Sequence, residues 1–226
     1  MADKIKAVFF DVGNTLLFRN QNVILKPLHE RGLFPSSEQQ YGTERRTKKE
    51  FDAAMSHGKV DRGFWDLYYG HLLSDLQIPR NGVHEELVQA TQLSANWCEI
   101  RPGTREVLLG LARQYRLAVI SNADGKIEKV LTRCGIADCF ESITDSGIVG
   151  HEKPHPAIFV AALEAMKASP AESLYVGDVY SVDYLGATRA GMQGMLMDVS
   201  GSYREAGVPR VETMEQLRSH LFQIEV

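Results

Sequence analysis

Val8 to Phe18 read VFFDVGNTLLF, an apolar run that is interrupted by Asp11, Gly13, Asn14 and Thr15. A carboxylate at the end of an apolar strand is costly to bury unless another group uses or neutralises it. Similar apolar runs recur further along the chain, at 116–121, 173–178 and 194–199. Stretches with helical spacing separate these runs. Strands that alternate with helices predict an α/β fold, a Rossmann-like parallel sheet covered on both faces.

Composition narrows the class of protein. The chain has 226 residues, of which 44% are hydrophobic, enough for one globular core and a small second one. Its net charge of -4 means that the protein has no overall positive potential that would attract nucleic acid. Three cysteines fit a reduced cytoplasmic protein better than a disulfide scaffold, and no run approaches the roughly 20 apolar residues of a membrane span. We expect a cytoplasmic monomer or homodimer without nucleic-acid or membrane partners.

The region 16–98 differs from the rest of the chain. It is rich in charged and aromatic residues, has helical spacing, and lacks clear strand runs. It therefore predicts a helical insertion in an α/β core formed by 1–15 and 99–226. The charged stretch RRTKKE (45–50) is typical of a solvated helix face. Four aromatic residues with helical spacing are predicted to pack inside the insertion, although one ring could face a substrate: Phe64, Trp65, Tyr68 and Tyr69.

Polar residues lie where the predicted strands end. They are Asp11 with Thr15, Ser121 with Asn122, Lys153, and Asp178 with Asp183. Taken singly, each has an ordinary structural explanation as a turn, cap or solvated residue. The carboxyl ends of parallel strands meet at one edge of a sheet, however, so these side chains are expected to converge.

Together these groups suit a phosphorylated substrate. Asp11 could act as a covalent carboxylate nucleophile. Ser121 and nearby backbone N–H groups could hold phosphoryl oxygens, while Lys153 supplies a compact positive charge. Asp178 and Asp11 offer the hard oxygen ligands that Mg²⁺ takes in combination with a substrate phosphate.

In this order, the residues resemble the four motifs of the haloacid dehalogenase superfamily. The first motif, Asp-x-Asp-x-Thr, corresponds to 11–15, and the second to Ser121. The third corresponds to Lys153 before a proline, and the fourth, Gly-Asp-x-x-x-x-Asp, to 177–183. The resemblance covers the predicted core, and the insertion stands where members with a helical type 1 cap carry it.

The resemblance implies a Mg²⁺-dependent hydrolase of small phosphorylated molecules that works through an aspartyl-phosphate on Asp11. It assigns catalytic roles to Asp11, Ser121 and Lys153, and substrate binding to Thr15 and Asn122. The metal ligands that it implies are Asp11, the carbonyl of Gly13, Asp178 and Asp183.

Gly13 departs from the family pattern. In the family's phosphatases the second acid of the first motif protonates the leaving group and then activates water, and glycine has no side chain for either task. Positioned acid–base catalysis is worth ~10²–10⁴-fold, so esters with poor leaving groups should suffer most, and acyl or aryl phosphates least. Candidates to replace this acid are His29, Asp52, His57, His151 and His155.

Three alternatives remain open because of Gly13. The 2-haloacid dehalogenases carry an aromatic residue at this position and use no metal, but the Gly177-Asp178 pair argues against them. Phosphonoacetaldehyde hydrolases carry alanine there and form a Schiff base with a cap lysine, for which the candidates are Lys26, Lys48, Lys49 and Lys59. The third alternative is a catalytically silent member that binds a metabolite or a protein partner.

Overall fold

The computed structural model describes residues 4–58 and 63–223, so Lys59 lies outside the described residues. Six strands form one sheet in the order β5-β4-β1-β6-β7-β8, and every neighbouring pair is parallel. They are β1 (Ala7–Phe10), β4 (Arg116–Ser121), β5 (Ser142–Asp145), β6 (Ser173–Gly177), β7 (Gln193–Met197) and β8 (Arg210–Val211). The four predicted apolar runs are its four central strands. Neither β5, which is half polar, nor β8, which has only two residues, has a clear signal in the sequence.

Helices cover both faces of the sheet. They are α6 (Thr104–Leu111), α7 (Ile127–Arg133), α8 (Ser146–Val149), α9 (Pro156–Met166), α10 (Leu185–Arg189) and α11 (Met214–Gln223). Val8 and Phe10 of β1 pack in one apolar cluster with residues of α6, α7 and α11, while Ala7 and Phe9 pack in another with residues of α9 and α10. The predicted α/β fold with a helix-covered parallel sheet is confirmed.

Between β1 and the rest of the sheet lies a helical segment. The chain enters it through β2 (Leu17–Arg19) and leaves it through β3 (Trp97–Ile100), and these two strands pair antiparallel. Its helices are α1 (Gln21–Ile24), α2 (Lys26–His29), α3 (Ser37–Ser56), α4 (Phe64–Asp75) and α5 (Gly82–Gln92). Its buried apolar residues form a cluster of their own around Tyr68 and Tyr69. The segment thus builds a second, smaller core.

The position of β1 in the sheet determines where a ligand can bind. It lies between β4 and β6. The strands that come next in the chain, β4 and β5, lie on one side of β1, and the later strands, β6 to β8, lie on the other. A crevice opens at the carboxyl ends of strands at such a point. Asp11 follows β1, Ser121 ends β4 and Asp178 follows β6, so all three come to this crevice. Among the described residues, no helix is long and apolar enough to cross a membrane.

Candidate active site

A cavity of about 630 Å³ lies at the carboxyl ends of the central strands. The core contributes the residues that line its polar end: Asp11, Gly13, Asn14, Ser121, Asn122, Lys153, Asp178 and Asp183. The helical segment contributes its aromatic side. Most of the residues predicted from strand ends therefore share one cavity.

Lys153 is the centre of the polar end. Its buried Nζ donates to Asp11 Oδ1 at 2.6 Å, to Asp183 Oδ1 at 2.8 Å and to the Tyr175 hydroxyl at 2.7 Å. Burial acts to lower the pKa of Lys153, but the carboxylates of Asp11 and Asp183 outweigh it and raise the pKa above its usual value. Lys153 is therefore a fixed cation. The sequence did not single out Tyr175, whose only signal is a hydroxyl within the apolar run of β6.

Asp183 holds the loop after β6. It lies in a π-helical turn, Tyr180–Tyr184, and its Oδ2 accepts hydrogen bonds from the backbone N–H groups of Asp178 at 3.1 Å and Val179 at 2.9 Å. A Cβ at Gly177 would come within 2.5 Å of Asp183 Cγ, so only glycine permits this approach. Asp183 thus orients both Lys153 and the backbone that carries Asp178.

Asp178 is held by two residues that the sequence did not assign to the site. Asn14 Nδ2 donates to Asp178 Oδ2 at 3.2 Å, and the backbone of Asn14 is left-handed, with φ of 53°. Asparagine adopts this conformation more readily than most residues. Lys48 Nζ forms an ion pair with the same oxygen at 3.0 Å.

The position of Lys48 corrects the prediction that RRTKKE is a solvated helix face. Lys48 is 1% exposed, and its Nζ also lies 2.8 Å from Glu44 Oε1. Residues four apart lie on one face of a helix, and this face of α3 meets the loops of the core. Asp52, on the same face, accepts hydrogen bonds from the Ser181 N–H at 3.0 Å and the Tyr203 hydroxyl at 2.8 Å. The prediction of a solvated face was wrong for Lys48 because its partner in the core and those of Asp52 are about 130 or more residues away in sequence. Lys49 is exposed, as predicted.

The charges at the polar end do not balance. Among the described residues in this contact network, four buried carboxylates (Asp11, Glu44, Asp178 and Asp183) face two ammonium groups (Lys48 and Lys153). Burial raises the pKa of Asp11 to about 7, although Lys153 opposes the shift. Burial likewise raises the pKa of Asp178 to about 6 against the opposing effect of Lys48.

A divalent cation would fit this imbalance. One carboxylate oxygen from each of Asp11, Asp178 and Asp183 lies within 4.8 Å of the others. Two uncompensated negative charges and hard oxygen donors are what Mg²⁺ requires. A cation there would restore the ordinary ionised state of both perturbed carboxyl groups.

Three further predicted residues have distinct positions. Asn122 donates from Nδ2 to the Lys153 carbonyl at 3.0 Å and accepts from the Lys153 N–H at 2.7 Å, so its amide holds the backbone of Lys153. Ser121 is buried and lines the cavity. Thr15 is buried and its Oγ1 has no hydrogen-bond partner among the described residues, but it does not line the cavity.

The ring of Trp97 lies next to the position that a side chain at Gly13 would occupy. A Cβ built on Gly13 would lie 3.2 Å from Trp97 Cζ3 and 3.4 Å from Cη2. The backbone of Gly13 is not left-handed, so a side chain is opposed by the indole ring and not by backbone conformation. Phe64 and Trp65 also line the cavity, whereas Tyr68 and Tyr69 are fully buried in the helical segment. Of the aromatic residues predicted to pack, two therefore face the cavity.

The candidates to replace the missing acid do not reach the cavity. Among the described residues that line it, none is His29, Asp52, His57, His151 or His155. His151 and His155 are exposed and stack on each other at 4.3 Å between ring centroids. The cavity thus offers no histidine as a proton donor within the described residues.

Comparison with known proteins identifies the family to which the chain is similar. A family model described as haloacid dehalogenase-like hydrolase matches residues 5–191. Haloacid dehalogenase-like hydrolase domain-containing protein 3 of Mus musculus is 30% identical over 175 residues, which are 74% of this chain and 69% of that protein. Glyceraldehyde 3-phosphate phosphatase of Methanothermobacter thermautotrophicus is 30% identical over 204 residues, 86% of each chain. A magnesium-bound HAD hydrolase of Bacillus subtilis shares the fold, with a TM-score of 0.70 at 19% identity over 97% of this chain and 99% of that one.

Proposed function

The chain belongs to the haloacid dehalogenase-like hydrolase family, and we propose that it is a Mg²⁺-dependent hydrolase of small phosphorylated molecules. The observation that carries the proposal is the convergence of Asp11, Lys153 and Asp178 at one end of a cavity. The phosphatase activity in the name of one relative supports the same reaction class.

Asp11 is the proposed nucleophile. Its carboxylate oxygen forms a bond to phosphorus while the bond from phosphorus to the leaving oxygen breaks, and the electron pair departs with that oxygen. Water then attacks phosphorus and loses a proton to solvent, the bond between phosphorus and the Asp11 oxygen breaks, and the electron pair returns to the carboxylate as inorganic phosphate leaves. Lys153 holds Asp11 at 2.6 Å and neutralises the phosphoryl oxygens, and Asn122 keeps Lys153 in place. Ser121 is the proposed phosphoryl contact.

Asp11, Asp178 and the carbonyl of Gly13 would hold the Mg²⁺, with Asp183 as a neighbouring carboxylate. When bound, the ion would supply positive charge that reduces repulsion between the nucleophile and an anionic substrate. The segment 16–98 is the proposed cap, which closes over the cavity and excludes water. Its contacts with the loops of the core through Lys48 and Asp52 support this role.

The Schiff-base alternative would require a deprotonated cap lysine. Burial acts to lower the pKa of Lys48, but Asp178 and Glu44 outweigh it and raise the pKa well above its usual value. A protonated ammonium has no lone pair with which to attack a carbonyl. Lys26 and Lys49 are exposed. None of these three lysines therefore favours carbon–phosphorus cleavage over phosphate hydrolysis.

Phosphate release is the direct test. The wild type, Asp11→Asn and the surface control Asp138→Asn are assayed with acetyl phosphate and with glyceraldehyde 3-phosphate, in Mg²⁺ and in EDTA. We expect turnover in Mg²⁺ only, its loss in Asp11→Asn, and no change in Asp138→Asn, since Asp138 is an exposed partner of Arg105. Undiminished release by Asp11→Asn, or equal release in EDTA, would contradict the mechanism.

A further inference from the structure

We propose that the leaving group of the substrate is an aromatic ring that lies against Trp97 above Gly13, so that the substrate is an aryl phosphate. The inference rests on the proposed function and adds the chemical class of the group that leaves. Two features of the cavity support this class: the shape and chemistry of its wall favour a ring, and the absence of a side chain at residue 13 favours a leaving group that needs no proton.

Trp97 is a fixed wall of the cavity. Its Nε1 donates to the Thr91 carbonyl at 2.8 Å, which orients the indole, and the side chain is buried. Its six-membered ring lies next to Gly13, two residues from Asp11. A leaving group attached to phosphorus at Asp11 therefore has Trp97 as an immediate neighbour.

The helical segment completes an apolar wall around the same space. Phe51 and Met55 of α3 and Phe64 and Trp65 of α4 line the cavity together with Trp97. The rings pack with fixed mutual geometry: Phe51 and Phe64 are edge-on at 5.5 Å, and Trp65 lies 5.4 Å from Trp97. Ligand sites of about 300–1,000 Å³ with apolar and aromatic walls suit flat apolar groups, and this cavity has about 630 Å³.

The chemistry at Gly13 is compatible with the same class, because it favours leaving groups that need no proton. An alkyl leaving group departs as an alkoxide and needs a proton, which Gly13 cannot donate. A phenol has a pKa near 10, as tyrosine does, so phenolate accepts the electron pair of the breaking phosphorus–oxygen bond without prior protonation. Water then attacks phosphorus, the bond between phosphorus and the Asp11 oxygen breaks, and its electron pair returns to the carboxylate. The proton that water loses goes to solvent, and the phenolate takes a proton from solvent. The products are a phenol and inorganic phosphate.

Trp97→Leu and Trp97→Phe test the ring contact. The substrates are phenyl phosphate, acetyl phosphate and glycerol phosphate in Mg²⁺. Acetyl phosphate has a good leaving group without a ring, and therefore separates ring recognition from leaving-group chemistry. Aromatic pairing contributes about 0.5–1.5 kcal/mol, so Trp97→Leu should raise the KM for phenyl phosphate by about 2–13-fold. Trp97→Phe should restore most of this loss, and the KM for acetyl phosphate should change by a smaller factor than the KM for phenyl phosphate.

Each outcome has a distinct meaning. Glycerol phosphate should be the slowest substrate because its leaving group needs the missing proton. Equal changes in KM for phenyl and acetyl phosphate, or turnover of glycerol phosphate as fast as phenyl phosphate, would overturn the inference and leave the hydrolase itself standing. No phosphate release from any of the three would overturn both. Circular dichroism of Trp97→Leu verifies that the variant is folded, and Trp97→Phe provides the ring-recognition test if it is not.

Discussion

Asp11→Asn should stabilise the protein when no divalent cation is present. The wild-type carboxyl group is buried beside Asp178 and Asp183, and its pKa is raised from 3.8 to about 7. At about 1.4 kcal/mol for each pH unit between these values, the ionised form costs about 4 kcal/mol of folding free energy above pH 7. Asparagine has the same shape without the charge, so the variant avoids this cost.

The sign follows from proton linkage. A raised pKa means that the folded state binds a proton more tightly than the unfolded chain between pH 4 and 7. Stability from this group is therefore fully present below pH 4 and is lost as the pH rises through 7. In EDTA, the free energy of unfolding of Asp11→Asn should equal that of the wild type near pH 4 and exceed it by up to about 4 kcal/mol at pH 8.

Urea denaturation at pH 4, 6 and 8, in EDTA and in Mg²⁺, measures both effects. Mg²⁺ should stabilise the wild type and narrow its gap to the variant, because the ion supplies the missing positive charge. Asp183→Asn is the matched control. Its carboxylate accepts two backbone N–H groups and Lys153, so this variant should lose stability. A loss of stability in Asp11→Asn at pH 8 in EDTA would refute the reasoning, since it would mean that Lys153 already compensates Asp11.

The remaining predictions use the same urea assay in EDTA. Lys48→Met should lower the free energy of unfolding by about 3–5 kcal/mol, because it leaves buried Asp178 and Glu44 without their cation. Lys49→Met, on the exposed side of the helix, is the control and should change it by less than about 0.5 kcal/mol. Equal effects of the two variants would contradict the buried ion pairs. Gly13→Asp should cost about 1–3 kcal/mol because its Cβ meets the ring of Trp97, and an unchanged stability would mean that this ring moves freely.

The sequence was sufficient for the core of the site. Parallel strands end at one edge of a sheet, so polar residues that end or directly follow such strands must converge there, whatever their separation along the chain. Asp11, Ser121 and Asp178 were found in this way, whereas Lys153 follows α8 and was assigned by its resemblance to the third motif.

What the sequence could not supply depends on which way side chains point across distant segments. Lys48 lies in a charged stretch that is typical of a solvated helix face. Only the packing of α3 on the core places its ammonium group beside Asp178. In the sequence, Tyr175 is a residue of an apolar strand with one polar group, its hydroxyl. Only the fold brings Lys153 close enough to donate a hydrogen bond to that hydroxyl. In the sequence, Gly13 shows only that the usual acid is absent. The structure adds that the ring of Trp97 lies next to the position that a side chain at residue 13 would occupy. Local periodicity determines strands, helices and their order. Contacts between residues that are 22 to 164 positions apart are set by packing, and packing decided the electrostatics and the shape of this cavity.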